Sequence, residues 1–183
     1  MLEQRIQQHF FESADLQYQI AENLARPAAL MAQALVDCIT SGGKLICLGF
    51  GLSQLDARYV AELMLGRFEQ DRPPLGAISL FSEQDALRQI QALGHPGDVL
   101  LLLNAHGAPA QAVQPAIEAA HAQDLTLLLL AGANDAAINA QLTETDLPLW
   151  IAHPRAARVS EIHRLLAHCL CDAVDMQLLG SND

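Results

Sequence analysis

The stretch from Lys44 to Phe68, KLICLGFGLSQLDARYVAELMLGRF, constrains the chain more than any other. Lys44 to Leu48 is a short apolar run entered from Gly43 and left through Gly49-Phe-Gly51, the pattern of a strand buried on both faces. Ser53 stands at an N-cap position, and Leu55, Tyr59, Ala61, Leu63 and Met64 follow at mostly helical spacing. Strand, Gly-x-Gly-x-Ser turn and helix in that order aim backbone N–H groups and a hydroxyl at an anion above the carboxyl edge of a parallel sheet. The same residues also make an ordinary tight turn, and the turn alone does not separate the two readings.

Leu2, Ile6, Phe10, Leu16, Ile20 and Leu24 recur at roughly helical intervals and predict an amphipathic helix ahead of the sheet. Residues 1–26 are read as an oligomerisation helix and 27–183 as the sheet domain. Pro27 then opens a second helix over Ala28 to Thr40, closed by Gly42-Gly43. A second strand is expected over Gly76–Phe81, and Ser82 caps a helix over Glu83 to Leu93. Asp98–Leu103 and Leu125–Leu130 are nearly continuous aliphatic runs and read as central strands. Between them a helix begins at Pro109, with Pro115 an interior breaker. A short helix over Asp135–Leu142, an edge strand over Leu147–Ile151 containing Pro148, and a long helix over Arg155–Leu179 complete the pattern. The alternation predicts an α/β fold: a doubly wound five-stranded parallel sheet in the flavodoxin-like order 2-1-3-4-5.

At 183 residues and 51% hydrophobic, the chain fills one core rather than two. Its 10 basic and 21 acidic residues give a formal charge of −11, which argues against direct nucleic-acid and membrane binding. Neither a spanning helix nor a signal-peptide core is seen, so a cytoplasmic protein is expected. Cys38, Cys47, Cys169 and Cys171 lack metal-knuckle spacing and read as buried reduced thiols.

The first turn and helix, with Gly66-Arg-Phe-Glu-Gln-Asp-Arg-Pro73, resemble the sugar isomerase (SIS) domain of phosphoheptose isomerases. They resemble equally a non-catalytic sister, the bacterial DnaA initiator-associating protein. The likeness continues through ALGHPGDVL at Ala92–Leu100, RVSEIH at Arg158–His163 and HCLCD at His168–Asp172. It implies a phosphosugar site made by two serine-bearing turns, after the first and third strands. Here Gly49, Gly51 and Ser53 are kept at the first turn, while Phe50 and Leu52 replace an amide and a glycine. At the second, Asn104, Ala105 and Pro109 stand at three serine or threonine positions, and Pro109 removes a backbone donor. The candidate ligand-binding set is therefore a degenerate one: Gly49, Gly51, Ser53, Asn104, His106 and His168.

The resemblance also implies a metal held by a histidine and a glutamate on the first long helix and by a glutamine and a histidine on the last. The matching positions hold Tyr59, Leu63, Ser160 and His168. Glu62 lies one residue off and, at about 100° per residue, points elsewhere. No metal, other cofactor or catalytic residue is therefore assigned. The segment from Phe81 to His95 is shorter than the family's and lacks an active-site wall. His153, Arg155 and Arg158 at the start of the last helix read either as an anion site or as capping and solvated residues.

These departures favour a non-catalytic homo-oligomeric adaptor that regulates replication initiation by gathering DnaA molecules, with Leu178 and Leu179 as the partner-binding pair. The alternative is a sugar-phosphate isomerase of the phosphoheptose type, or a regulatory protein that binds a sugar phosphate. The amphipathic first helix and the leucine-rich last helix exceed what five strands need for cover, so a homotetramer, a dimer of dimers, is expected. Sedimentation is predicted to show an oligomer at micromolar concentration; a folded monomer would contradict this.

Overall fold

The computed structural model describes residues 1–180. In chain order the elements are α1 (Leu2–Thr40), β1 (Leu45–Gly49), α2 (Ser53–Leu65), β2 (Ala77–Ser79), α3 (Ala86–Leu93), β3 (Val99–Asn104), α4 (Ala110–Ala122), β4 (Thr126–Ala131), α5 (Ala136–Asn139), β5 (Leu147–Trp150) and α6 (Ala156–Leu179). The strands form one parallel sheet in the order β2-β1-β3-β4-β5, as expected.

Side chains alternate across this sheet and divide the core into two layers. Leu101, Leu103, Leu128 and Leu130 pack with α1, α2 and α6, whereas Leu100, Leu102, Leu127 and Leu129 pack with α3, α4 and α5. Each leucine is fully buried, and burial contributes about 1.5–3 kcal/mol per side chain. Both edges are short, and Pro148 sits on the outer one, where its missing N–H breaks no ladder.

Several boundaries differ from the sequence expectation. Pro27 does not open a second helix; α1 runs unbroken through it for 39 residues. The ring removes one bond to the Asn23 carbonyl, and burial of Leu16 before it and of Met31 and Leu35 after it holds the helix together. Ser53 is the first residue of α2 rather than its N-cap, a position taken by Leu52. Nor does α3 start at Glu83: the Ser82 hydroxyl accepts the Gln84 N–H at 3.2 Å, a local turn that competes with helix, and α3 begins at Ala86. Pro115 lies inside α4 without ending it. Asp135 caps a shortened α5, its Oδ1 accepting the N–H groups of Ala137 at 2.8 Å and Ile138 at 3.2 Å. Cys38, Cys47 and Cys171 are buried as expected, but Cys169 is exposed on α6. Among the described residues no helix is long and apolar enough to cross a membrane.

Two ionic locks hold the layers. At the amino edge of the sheet Asp98 accepts the Lys44 ammonium at 2.5 Å and the N–H groups of Lys44 and His95, each at 2.9 Å. Burial pushes its carboxyl up, but the Lys44 and His95 donors together outweigh this and hold it below the usual aspartate value. The second lock is deeper. Arg72 Nε donates to Asp175 Oδ1 at 2.5 Å while Nη1 and Nη2 donate to the carbonyls of Met64 and Leu63, both at 2.8 Å. One guanidinium thus satisfies the carboxyl end of α2 and ties it to α6. Both side chains are almost wholly buried, at 1% and 3% exposure. Arg72→Ala leaves a buried carboxylate without its charge partner, so unfolding measurements should show a loss of about 3–5 kcal/mol. Arg72→Met combined with Asp175→Leu is expected to recover part of it, since the uncompensated charge is then gone while the Leu63 and Met64 carbonyls still lack the arginine donors.

Candidate functional site

The carboxyl edge of the sheet is where β1 and β3 release the chain into the two turns singled out in the sequence. Gly49 is obligatory there: a Cβ would meet the Ser53 carbonyl oxygen at 2.1 Å, so only glycine lets α2 start this close to the strand. Gly51 follows at φ +57°, in the left-handed region. The Ser53 hydroxyl is fully buried and accepts the Ala105 N–H at 3.1 Å. Ser53 therefore ties the first turn to the second. Asn104 is committed in the same way, its Oδ1 accepting the Ala108 N–H at 2.7 Å and its Nδ2 donating to the Ala108 carbonyl at 3.0 Å. That amide clamp shapes the second turn and leaves His106 exposed at its tip, beside Gly107 at φ +68°.

Glu83 reaches from the β2–α3 segment to accept the Gly51 N–H at 3.3 Å. A carboxylate of the chain's own thus occupies a backbone donor of the first turn. No pattern in the sequence signalled this contact, because it joins residues across two loops.

His168 does not sit at the turns. It faces Tyr59, about 9 Å along the α2 axis from Ser53 by helical rise. Tyr59 Oη and His168 Nε2 are 2.8 Å apart, and the Phe68 ring lies 5.6 Å from the imidazole, centroid to centroid. Arg164 places its guanidinium carbon 4.1 Å from the centre of the Tyr59 ring and pairs with Asp56. Asp56-x-x-Tyr59 on α2 and Arg164-x-x-x-His168 on α6 are the i,i+3 and i,i+4 spacings of one helical face, a signal that sequence reasoning passed over. Leu63 is partly buried against the core, and the Ser160 hydroxyl is buried without a partner.

One turn after Ser160, His163 is fully buried, and neither ring nitrogen reaches a hydrogen-bond partner. Burial, with a smaller contribution from nearby His106, pushes its pKa down to about 4; the Ala131 backbone beside it opposes the shift without completing a hydrogen bond. At the start of α6, Arg155 and Arg158 turn toward α1. Their guanidinium groups approach His9 Nδ1 at 3.1 and 2.7 Å, and they pair with Glu12 and Glu161. His153 Nδ1 accepts the Arg155 N–H at 3.1 Å. The carboxylates already engage both arginines, and the cluster fastens α1 to α6. Leu178 packs partly against the core, while Leu179 is 46% exposed at the far end of α6.

A parallel 2-1-3-4-5 sheet with two joined turns at its carboxyl edge, layered on one face by α1, α2 and α6, is the architecture of a SIS protein. The SIS domain family model matches residues 8–132, and the chain belongs to that family. Within it, the chain is 47% identical to a phosphoheptose isomerase of Methylibium petroleiphilum, over 100% of this chain and 98% of the relative. Its fold is similar to the phosphoheptose isomerase of Neisseria gonorrhoeae, with a TM-score of 0.85 at 30% identity, covering 96% of this chain and 99% of that one. The phosphoheptose isomerase of Francisella tularensis matches with a TM-score of 0.88 at 29% identity, covering 96% and 99%.

These relatives overturn the expectation of a non-catalytic DnaA adaptor acting in replication initiation. Proteins similar over the full length are phosphoheptose isomerases, and they support the sugar-phosphate alternative. Leu178 and Leu179, named as the partner-binding pair under that reading, lose the argument on which they were chosen.

The buried His163 sets a pH dependence whose sign follows from its depressed value. The folded state keeps it neutral while the unfolded chain protonates it near the ordinary 6.5, so stability is full above that value and declines as pH falls toward about 4. Denaturant titrations across that window should show a flatter decline for His163→Leu than for the natural chain.

Proposed function

We propose that this chain is a sugar-phosphate isomerase of the phosphoheptose isomerase type, acting as a homo-oligomer on a phosphorylated sugar. The observation that carries the reading is identity of 47% to a phosphoheptose isomerase across the whole chain. The two joined turns agree with it. His106 and the backbone around Gly107 stand exposed at the carboxyl edge, next to the amino end of α4, where unpaired N–H groups favour a phosphate. Glu83 on the Gly51 N–H is displaced when an anion takes that donor.

Isomerisation moves a proton from the carbon beside a carbonyl to the carbonyl carbon, through an enediol, and consumes no oxidant or second substrate. The oligomer supports itself on a second feature. An apolar groove of about 320 Å³ between α1 and α6, lined by residues such as Ile20, Leu24, Leu165, Leu166 and Cys169, lies open in the single chain.

The test is direct. Purified protein incubated with a heptose ketose phosphate should produce the aldose phosphate, followed by NMR, and the substrate should raise the melting temperature. Stabilisation without turnover would reduce the protein to a sugar-phosphate binder. Absence of both turnover and stabilisation would refute the proposal.

A further inference from the structure

The donors at the position where the resemblance implies a metal do not fit one. Zn²⁺ takes four N, S or O ligands, and of Tyr59, Leu63, Ser160 and His168 only the last is an ordinary ligand type. Its Nε2 is already 2.8 Å from Tyr59 Oη, and Leu63 offers no donor atom. Among the described residues no group of three His, Cys, Asp or Glu side chains converges as a metal site. Arg164 lies 4.1 Å from the centre of the Tyr59 ring, ion-paired with Asp56, and so puts a guanidinium, which cannot ligate a cation, beside the pair.

We infer that this site works without a metal ion, and that the Arg164 charge beside the Tyr59–His168 pair takes over the electrostatic task of the metal. The catalytic half of the inference rests on the isomerase reading; the metal half stands without it. Aldose–ketose interconversion needs a group that removes the carbon proton, a group that protonates the carbonyl oxygen, and positive charge near the oxygen where negative charge develops. Tyr59 and His168 are two proton-carrying groups joined by one hydrogen bond. The proton removed from one carbon returns to its neighbour and the proton given to oxygen is matched by one released from the adjacent hydroxyl, so nothing further is consumed. Arg164 supplies the charge, and Asp56 fixes its position through their ion pair. On helix α6 the arginine and His168 are four residues apart, so both project from the same side, toward α2.

Protein dialysed against EDTA decides the metal question by zinc analysis and by thermal shift with added zinc. The expected result is substoichiometric zinc, a melting temperature that zinc does not move, and turnover that EDTA leaves intact. Stoichiometric zinc that survives dialysis and is lost in His168→Ala, or turnover abolished by EDTA and restored by zinc, would overturn the inference. For the charge, Arg164→Gln should lower kcat by about 10- to 100-fold with KM little changed, while Arg164→Lys restores part of it. An Arg164→Gln protein of normal melting temperature and normal kcat would remove Arg164 from the mechanism. Absence of turnover with and without zinc would overturn the isomerase reading together with the Arg164 role, and zinc retention would still decide whether a metal is bound.

Discussion

Two adjacent strands made almost wholly of leucine, β3 and β4, impose the condition that the rest of the molecule meets. A parallel strand that is apolar on both faces must be covered on both, and helices are the elements that do it. The chain answers with α3, α4 and α5 on one side and α1, α2 and α6 on the other. Once both faces are closed, the exposed backbone of the sheet is confined to its ends. The carboxyl end is where the turns lie, so the site is a consequence of how the leucines are buried.

The two turns are not independent. Ser53 from the first accepts a hydrogen bond from the second, and Asn104 closes the second on itself. Ser53 and Asn104, named in the sequence as ligand contacts, thus also brace the backbone of the turns. Glu83 completes this arrangement by holding a donor of the first turn with the chain's own negative charge.

Loss of the familiar ligand positions invited the conclusion that the chain had left chemistry behind. That inference counted the ligand types lost at Tyr59, Leu63 and Ser160, with His168 alone kept, without asking what the residues now present make together. In the folded protein Tyr59 meets His168, Arg164 covers Tyr59 and Asp56 anchors Arg164, so four residues from two helices make one polar constellation. The replacement is a set, and its members are understood only together. The chain is at the same time similar over its full length to a phosphoheptose isomerase.

The sequence by itself determined the strands and the glycine-bearing first turn, because apolar periodicity and glycine placement are local properties that report burial and backbone geometry directly, while the SIS architecture came from the resemblance of whole motifs. Local signals also misled: Pro27 reads as a helix start, but a packed face on either side of it outweighs one missing hydrogen bond. Ser82 reads as a cap, but its hydroxyl makes a turn. Only the tertiary structure decided that Ser53 and Asn104 brace the turns, that Glu83 reaches Gly51, and that Arg72 is buried against Asp175. It alone brought Tyr59 and His168, 109 positions apart in the chain, to hydrogen-bonding distance. Such pairings arise from the docking of α2 against α6, and docking geometry depends on the whole core, which no single stretch of sequence specifies.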